Sequence, residues 1–120
     1  MEESSIRTVE IGTEPLGTEL VGSGPSSGDG AAVRSLVARI PPGTSTGWHR
    51  HDAWQTGIVA SRRLRHRTAE TERFFGPGDV LVEPPMVDHE ASNVSDEELV
   101  LVFVAVHAAG KPLATPRPTP

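Results

Sequence analysis

The chain has 120 residues, 11 basic and 16 acidic, and a formal charge of −5 at pH 7, which is the length of a single domain. This acidic balance disfavours nucleic acid and anionic membranes as partners. Cysteine and tyrosine are absent, which excludes disulfides, cysteine-ligated metals, thiol nucleophiles and a phenolic acid or base.

The first part of the chain predicts two strands separated by a loop. A short strand is predicted around residues 6–11, and the Gly/Ser/Pro-rich stretch 12–30 indicates a mobile arm. Residues 33–40 alternate in polarity and predict a second strand, which ends at Pro41-Pro42-Gly43.

The second part continues with short strands and turns. Two polar alternating runs within residues 48–75 flank a turn predicted near Thr68 to Thr71. Further turns are predicted at 76–79 and 93–97, and further strands at 80–83 and 98–106. The last strand is apolar on both faces, as expected of a strand buried on both sides.

The predicted fold class is all-β, a small antiparallel barrel or sandwich, because no segment carries a helical stripe of apolar residues. The expected divisions are an N-terminal strand and arm over 1–30, the barrel over 31–110 and a Pro-rich tail over 111–120 that runs extended along the surface. No signal peptide is recognised, and no apolar run approaches the ~20 residues that span a bilayer. We therefore expect a cytoplasmic protein without a membrane partner.

Two histidines and a glutamine provide the first chemical signal. Alternate residues of a strand share a face, so His49 and His51 point the same way, and Gln55 shares that face if no bulge intervenes. Imidazole nitrogens and an amide oxygen suit a divalent metal ion (Mn, Fe, Ni, Co or Zn). Histidine pairs also occur without metal, and Gln55 has the alternative role of a hydrogen-bond donor to water or substrate.

A second segment strengthens the metal hypothesis. Gly78, Pro84, His89 and Asn93 follow one another at the spacing of the second cupin motif, and His49 and His51 match the first. The chain therefore resembles the cupin superfamily over roughly residues 31–110. The resemblance implies a jelly-roll barrel with a metal bound by His49, His51, Gln55 and His89.

Three departures from the cupin motifs are visible. Met86 and Arg62 stand where glycines are usual, and Gln55 occupies the position of the usual glutamate. The last change resembles small bacterial cupins whose manganese site uses three histidines and one glutamine, some of which are hydroxynitrile lyases. Such a donor set is neutral and leaves the full charge of the ion available to polarise a substrate.

The resemblance implies a metal-dependent enzyme acting on a small organic molecule. Its chemistry would be Lewis-acid catalysis (lyase, isomerase or cyclase) or dioxygenase chemistry, as in quercetin-dioxygenase-like cupins. A water, Glu83 or a spare histidine would have to transfer protons. The alternative is a non-catalytic small-molecule-binding or sensor cupin. The resemblance also implies a homodimer, with 98–106 and the N-terminal segment as candidate interface strands that would cover exposed edges.

Two further polar features lie outside the predicted metal site. His66 lies in a polar alternating run and is predicted to be solvated. The basic run from Arg62 to Arg67 is predicted to be an exposed strand face paired with Glu70 and Glu72, with an anion-binding wall as the alternative.

Overall fold

The computed structural model describes residues 6–16, 31–108 and 112–120, and these residues form strands and no helix. The strands are β1 (Arg7–Leu16), β2 (Ala31–Ile40), β3 (His49–Arg50), β4 (Gln55–Ser61), β5 (Leu64–Thr68), β6 (Glu72–Phe75), β7 (Val80–Glu83), β8 (His89–Asn93), β9 (Leu99–Ala108) and β10 (Thr115–Pro116). Residues 17–30, most of the predicted mobile arm, lie outside the described residues.

The strands form two five-stranded antiparallel sheets. The first sheet has the order β1-β2-β9-β4-β7 and the second the order β10-β3-β8-β5-β6. The all-β fold class is thus confirmed. Across the described ranges, the structure has no helix of the length and apolarity needed to cross a membrane.

The apolar core lies between the sheets. Val59, Leu64 and Leu99 are fully buried, and Phe75 and Leu81 pack with them in one cluster. Gly57 on β4 fits this packing because an added Cβ would lie 3.1 Å from Leu101 and 3.2 Å from Leu81. The buried cluster contains residues of both sheets, so it holds the sheets together and positions the residues that line the interior.

Strand β9 corrects two expectations. It lies in the middle of the first sheet, so it offers no free edge for an interface. Its inner residues are buried, but Val104 on the outer face is 41% exposed. Double burial is therefore wrong for the single chain, because only one face of this sheet packs against the core.

The predicted turns are largely confirmed. Thr68 and Thr71 close the hairpin between β5 and β6 through a backbone hydrogen bond of 3.0 Å, and Asp79 donates to Gly76 at 2.9 Å in the next turn. Arg62 and Met86, which replace motif glycines, have φ of 73° and 64°. Both residues keep the left-handed backbone conformation that favours glycine.

The Pro-rich tail follows the surface in extended form and adds a strand. Thr115 and Pro116 pair with β3, and Arg117 donates from its backbone to Trp48 at 2.9 Å. Leu113 packs against the apolar core. This segment therefore lies beside the predicted metal ligands.

Candidate metal centre

The predicted ligands come from several elements of both sheets. His49 begins β3 and pairs in register with His89 of β8, whereas Gln55 begins β4 of the other sheet. Residues 49–55 are therefore not one continuous strand, because the chain crosses between the sheets after Arg50. The structure still brings the three histidines together, because β3 pairs with β8 and His51 directly follows β3.

Three imidazoles form the centre of the site. His49, His51 and His89 each offer one ring nitrogen, and these nitrogens all lie within 4.8 Å of one another. The ring centroids are 4.3 Å apart for His49 and His89, and 5.0–5.1 Å apart for the other two pairs. His89 is 1% exposed and His51 is 5% exposed, so the cluster is almost removed from solvent.

Backbone carbonyls set the orientation of these rings. The acceptors of the three Nδ1 atoms are Gly47 (2.8 Å from His49), Leu113 (2.9 Å from His51) and Val87 (3.0 Å from His89). Because a carbonyl only accepts, each Nδ1 must carry the proton. Each neutral ring therefore keeps its lone pair on Nε2, the arrangement found in metal-ligating histidines.

Glu83 is the main functional residue that the ligand prediction missed. It ends β7, pairs in register with Gln55 and is 6% exposed. Its two carboxylate oxygens lie 3.2 Å from His51 Nε2 and 3.0 Å from His89 Nε2. Gln55 Nε2 donates to it at 3.1 Å. The centre therefore contains a carboxylate, whereas the sequence predicted a neutral set.

His66 also belongs to the centre, so its predicted solvent exposure is wrong. It faces inward on β5, is 8% exposed and contacts Glu83 Oε2 through Nε2 at 3.1 Å. Its ring stacks on His89 at 5.0 Å. The available signal was strand alternation, since His66 lies two residues after the buried Leu64.

The site's electrostatics follow from burial and from the carboxylate. Burial, together with the neighbouring His89 and His51, lowers the pKa of His49 to about 4. Burial also opposes ionisation of Glu83, but contacts with His51, His66 and His89 hold its pKa well below the usual range. Burial alone would lower the pKa of His51, yet the Glu83 carboxylate and the Leu113 carbonyl raise it. Glu83 is thus anionic at neutral pH.

Unpartnered buried atoms test whether the site fits a metal ion. Among the described residues, His51 Nε2, His89 Nε2 and Gln55 Oε1 are buried without a hydrogen-bond partner. All three are lone-pair donors of the type that binds divalent transition metals. The histidines and Glu83 are therefore positioned to bind a metal ion.

A cavity of about 380 Å³ opens onto the centre. Besides His49, His51, Gln55 and Glu83, its lining is mostly apolar. The apolar part includes Ile6, Ile40, Trp48, Leu101, Phe103 and Leu113. No arginine or lysine of the described residues lines it, so the cavity provides no cationic contact for an anionic molecule.

The basic run does not form a wall of this cavity. Arg62 pairs with Glu97, and Arg67 pairs with Glu90 at 2.8 Å. Arg65 lies 4.0 Å from Glu72. An exposed, charge-paired strand face is therefore the better description, although the acidic partners are mostly not the predicted ones.

The chain matches the Cupin domain family over residues 36–105. The chain belongs to the cupin family. Cupin structures share its two-sheet jelly roll. One is a cupin 2 domain-containing protein from Halorhodospira halophila, 16% identical, with a TM-score of 0.68 over 98% of this chain and 74% of that one.

Two other matches have names that refer to enzymes. The H2HPP isomerase of Bacillus subtilis is 28% identical over 68% of this chain, which spans only 35% of that protein. A chain from the crystal structures of the DMSP lyases RdDddP and RnDddQII is 19% identical, with a TM-score of 0.62 over 72% of this chain and 44% of that one. The structural likenesses support the jelly-roll fold.

Proposed function

We propose that this cupin is a metal-dependent enzyme that acts on a small, uncharged and largely apolar organic molecule by Lewis-acid chemistry. The observation that carries the proposal is the set of buried lone-pair atoms in the centre. His51 Nε2, His89 Nε2 and Gln55 Oε1 lack partners, and each leaves a desolvation cost that a bound cation would offset.

In this proposal, His49, His51, His89 and Gln55 hold the ion, and the carbonyls of Gly47, Leu113 and Val87 orient the three rings. A bound divalent ion supplies polarisation of a substrate carbonyl or hydroxyl, with dioxygen activation as the oxygenase variant. Glu83 faces the same cavity and would place its carboxylate beside the ion.

The substrate class follows from the cavity lining. A volume of about 380 Å³ suits a small organic molecule. An anionic substrate would lose its hydration in this cavity and would meet no cationic side chain there. The bound metal would be its one cationic contact among the described residues and the ion they hold. The isomerase and lyase names of two matches favour the Lewis-acid variant over the oxygenase variant.

Metal analysis tests the proposal most directly. The parent, His49→Ala and His89→Ala would be purified, stripped and titrated with Mn²⁺ and Zn²⁺ by calorimetry. Both variants are expected to lose at least about tenfold in affinity. Asp52→Asn is the matched control, because Asp52 adjoins His51 but is exposed. Variants that bind metal as well as the parent would refute the ligand assignment.

Turnover separates the enzyme from the non-catalytic alternative. Metal-loaded parent would be incubated with uncharged hydroxy and carbonyl compounds, with and without dioxygen, and products followed by NMR. Metal-dependent conversion supports the enzyme. Saturable thermal shifts without conversion would favour a binding or sensor cupin instead.

We also propose that the outer face of the first sheet pairs with a second copy of the chain. Its exposed apolar residues include Val9, Ile58, Val80, Val82 and Val104, each 41–59% exposed. Contiguous apolar faces on soluble proteins often mark interfaces. Light scattering should show a dimer, and Val82→Glu with Val104→Glu should yield monomers. A parent that remains monomeric at high concentration would refute this proposal.

A further inference from the structure

Glu83 is a buried carboxylate with no fixed cation beside it. Its ion-pair contacts within the described ranges are His51, His66 and His89, all at 3.0–3.2 Å, and no arginine or lysine lies among them. A buried carboxylate is costly unless a positive charge compensates it. The compensating positive charge must therefore come from a group other than an arginine or a lysine.

Only two of its four close contacts are ordinary hydrogen bonds when the rings are neutral. Gln55 Nε2 donates to Oε1, and His66 Nε2 can donate to Oε2, both at 3.1 Å. His51 and His89 have already committed their Nδ1 protons to carbonyls. Their Nε2 atoms nevertheless lie 3.2 Å and 3.0 Å from carboxylate oxygens, and with neutral rings a cation held between these atoms would relieve the repulsion of the facing lone pairs.

We infer that Glu83 is itself a ligand of the bound metal ion, and that His66 is the positioning residue that holds its carboxylate. This inference rests on the proposed function. The centre then has three imidazoles, the Gln55 amide oxygen and one carboxylate, and the Gln55 Nε2 atom supports that carboxylate from the neighbouring strand. The second histidine–carboxylate group, formed by His66, Glu83 and His89, belongs to this same centre.

The register of β4 and β7 allows the carboxylate to be moved from one strand to the other as a test. Gln55 and Glu83 are directly opposed, and the two side chains differ mainly in charge. Glu83→Gln removes the carboxylate, and Gln55→Glu with Glu83→Gln moves it across the ladder. We expect the single variant to weaken Mn²⁺ binding by at least about tenfold, and the double variant to recover most of that loss.

Calorimetric Mn²⁺ titration, with circular dichroism to verify folding, decides the ligand assignment. A loss above about fivefold in Glu83→Gln that the double variant recovers supports it, because an outer-shell partner alone can also cost about 10–100-fold. If the parent binds metal, a smaller loss in Glu83→Gln, or one that the double variant does not recover, overturns the ligand assignment and leaves the proposed function intact. A parent that binds no metal refutes the proposed function itself. If the variant does not fold, crystals of the Zn²⁺-loaded parent decide. A Glu83 oxygen at about 2.0–2.2 Å from zinc supports the inference, and one beyond about 3 Å overturns it.

The role of His66 has its own pair of variants. His66→Leu removes the donor to Glu83 and should weaken Mn²⁺ binding by about 10–100-fold. His66→Gln keeps an amide donor and should restore most of the affinity. Equal affinities of the two variants would show that His66 acts through packing alone.

Discussion

The two ends of strands β5 and β8 are equally buried and chemically opposite. At one end Leu64 is 0% exposed within the apolar core, and at the other His89 is 1% exposed beside a carboxylate. Burying a leucine contributes about 1.5–3 kcal/mol to stability, whereas burying charge costs free energy unless it is compensated. The apolar core therefore stabilises a fold whose polar end is arranged for binding.

The largest expected effect is on the apolar side. Leu64→Ala should lower the free energy of unfolding by about 2–5 kcal/mol, because it leaves a cavity in the core. Urea denaturation measures this loss, and Val94→Ala, 43% exposed, is the control with a much smaller effect. The metal affinity of folded Leu64→Ala should match the parent, and a large change would contradict the separation of the two ends.

Asn93 is a buried polar residue at the Leu64 end, because it pairs in register with Leu64. It is 1% exposed, and its Nδ2 donates to the carbonyls of Ile40 at 2.8 Å and Glu97 at 2.7 Å. Asn93→Ala should cost about 1–3 kcal/mol because two carbonyls lose their donor. Asn93→Asp should cost at least as much, since an ionised carboxylate only accepts. A well-folded Asn93→Asp would contradict this account.

The sequence predicted the fold better than the full composition of the site. Alternation located β2, turn residues bounded β7, and a continuous apolar run located most of β9. Motif spacing selected His49, His51 and His89. Glu83 and His66 share strand parity with the buried Leu81 and Leu64, so their inward orientation was detectable. Their meeting was not, because it depends on which strands pair and on how the two sheets stack.

Met86 tests local strain on the polar side. Its φ of 64° lies in the left-handed region, and its backbone N–H donates to His51 at 2.8 Å. Met86→Gly should raise the free energy of unfolding by up to about 1 kcal/mol, because glycine adopts this conformation without strain. Met86→Ala should bring no gain, and a gain similar to that of glycine would exclude strain as the cause.

The smallest effect on stability is expected for the exposed carboxyl of Glu98, which belongs to neither of the two buried ends. Arg7 at 2.7 Å and Arg39 at 3.3 Å lower the pKa of the Glu98 carboxyl. A carboxyl whose pKa is lower in the folded state stabilises the fold at pH values above its pKa in the unfolded chain. This stabilisation is lost as the pH falls through the folded-state pKa. Glu98→Gln should therefore melt slightly below the parent at pH 7, and this gap should close as the pH falls through the folded-state pKa of Glu98. A gap that persists below that pKa would rule out this charge effect.

The contact between His51 and the Leu113 carbonyl joins residues 62 positions apart. A segment with four prolines in its last ten positions thus sets the tautomer of an imidazole in the centre. Removing the chain from residue 112 onward would remove the acceptor that orients this ring. A truncation of this tail would therefore also change the binding site.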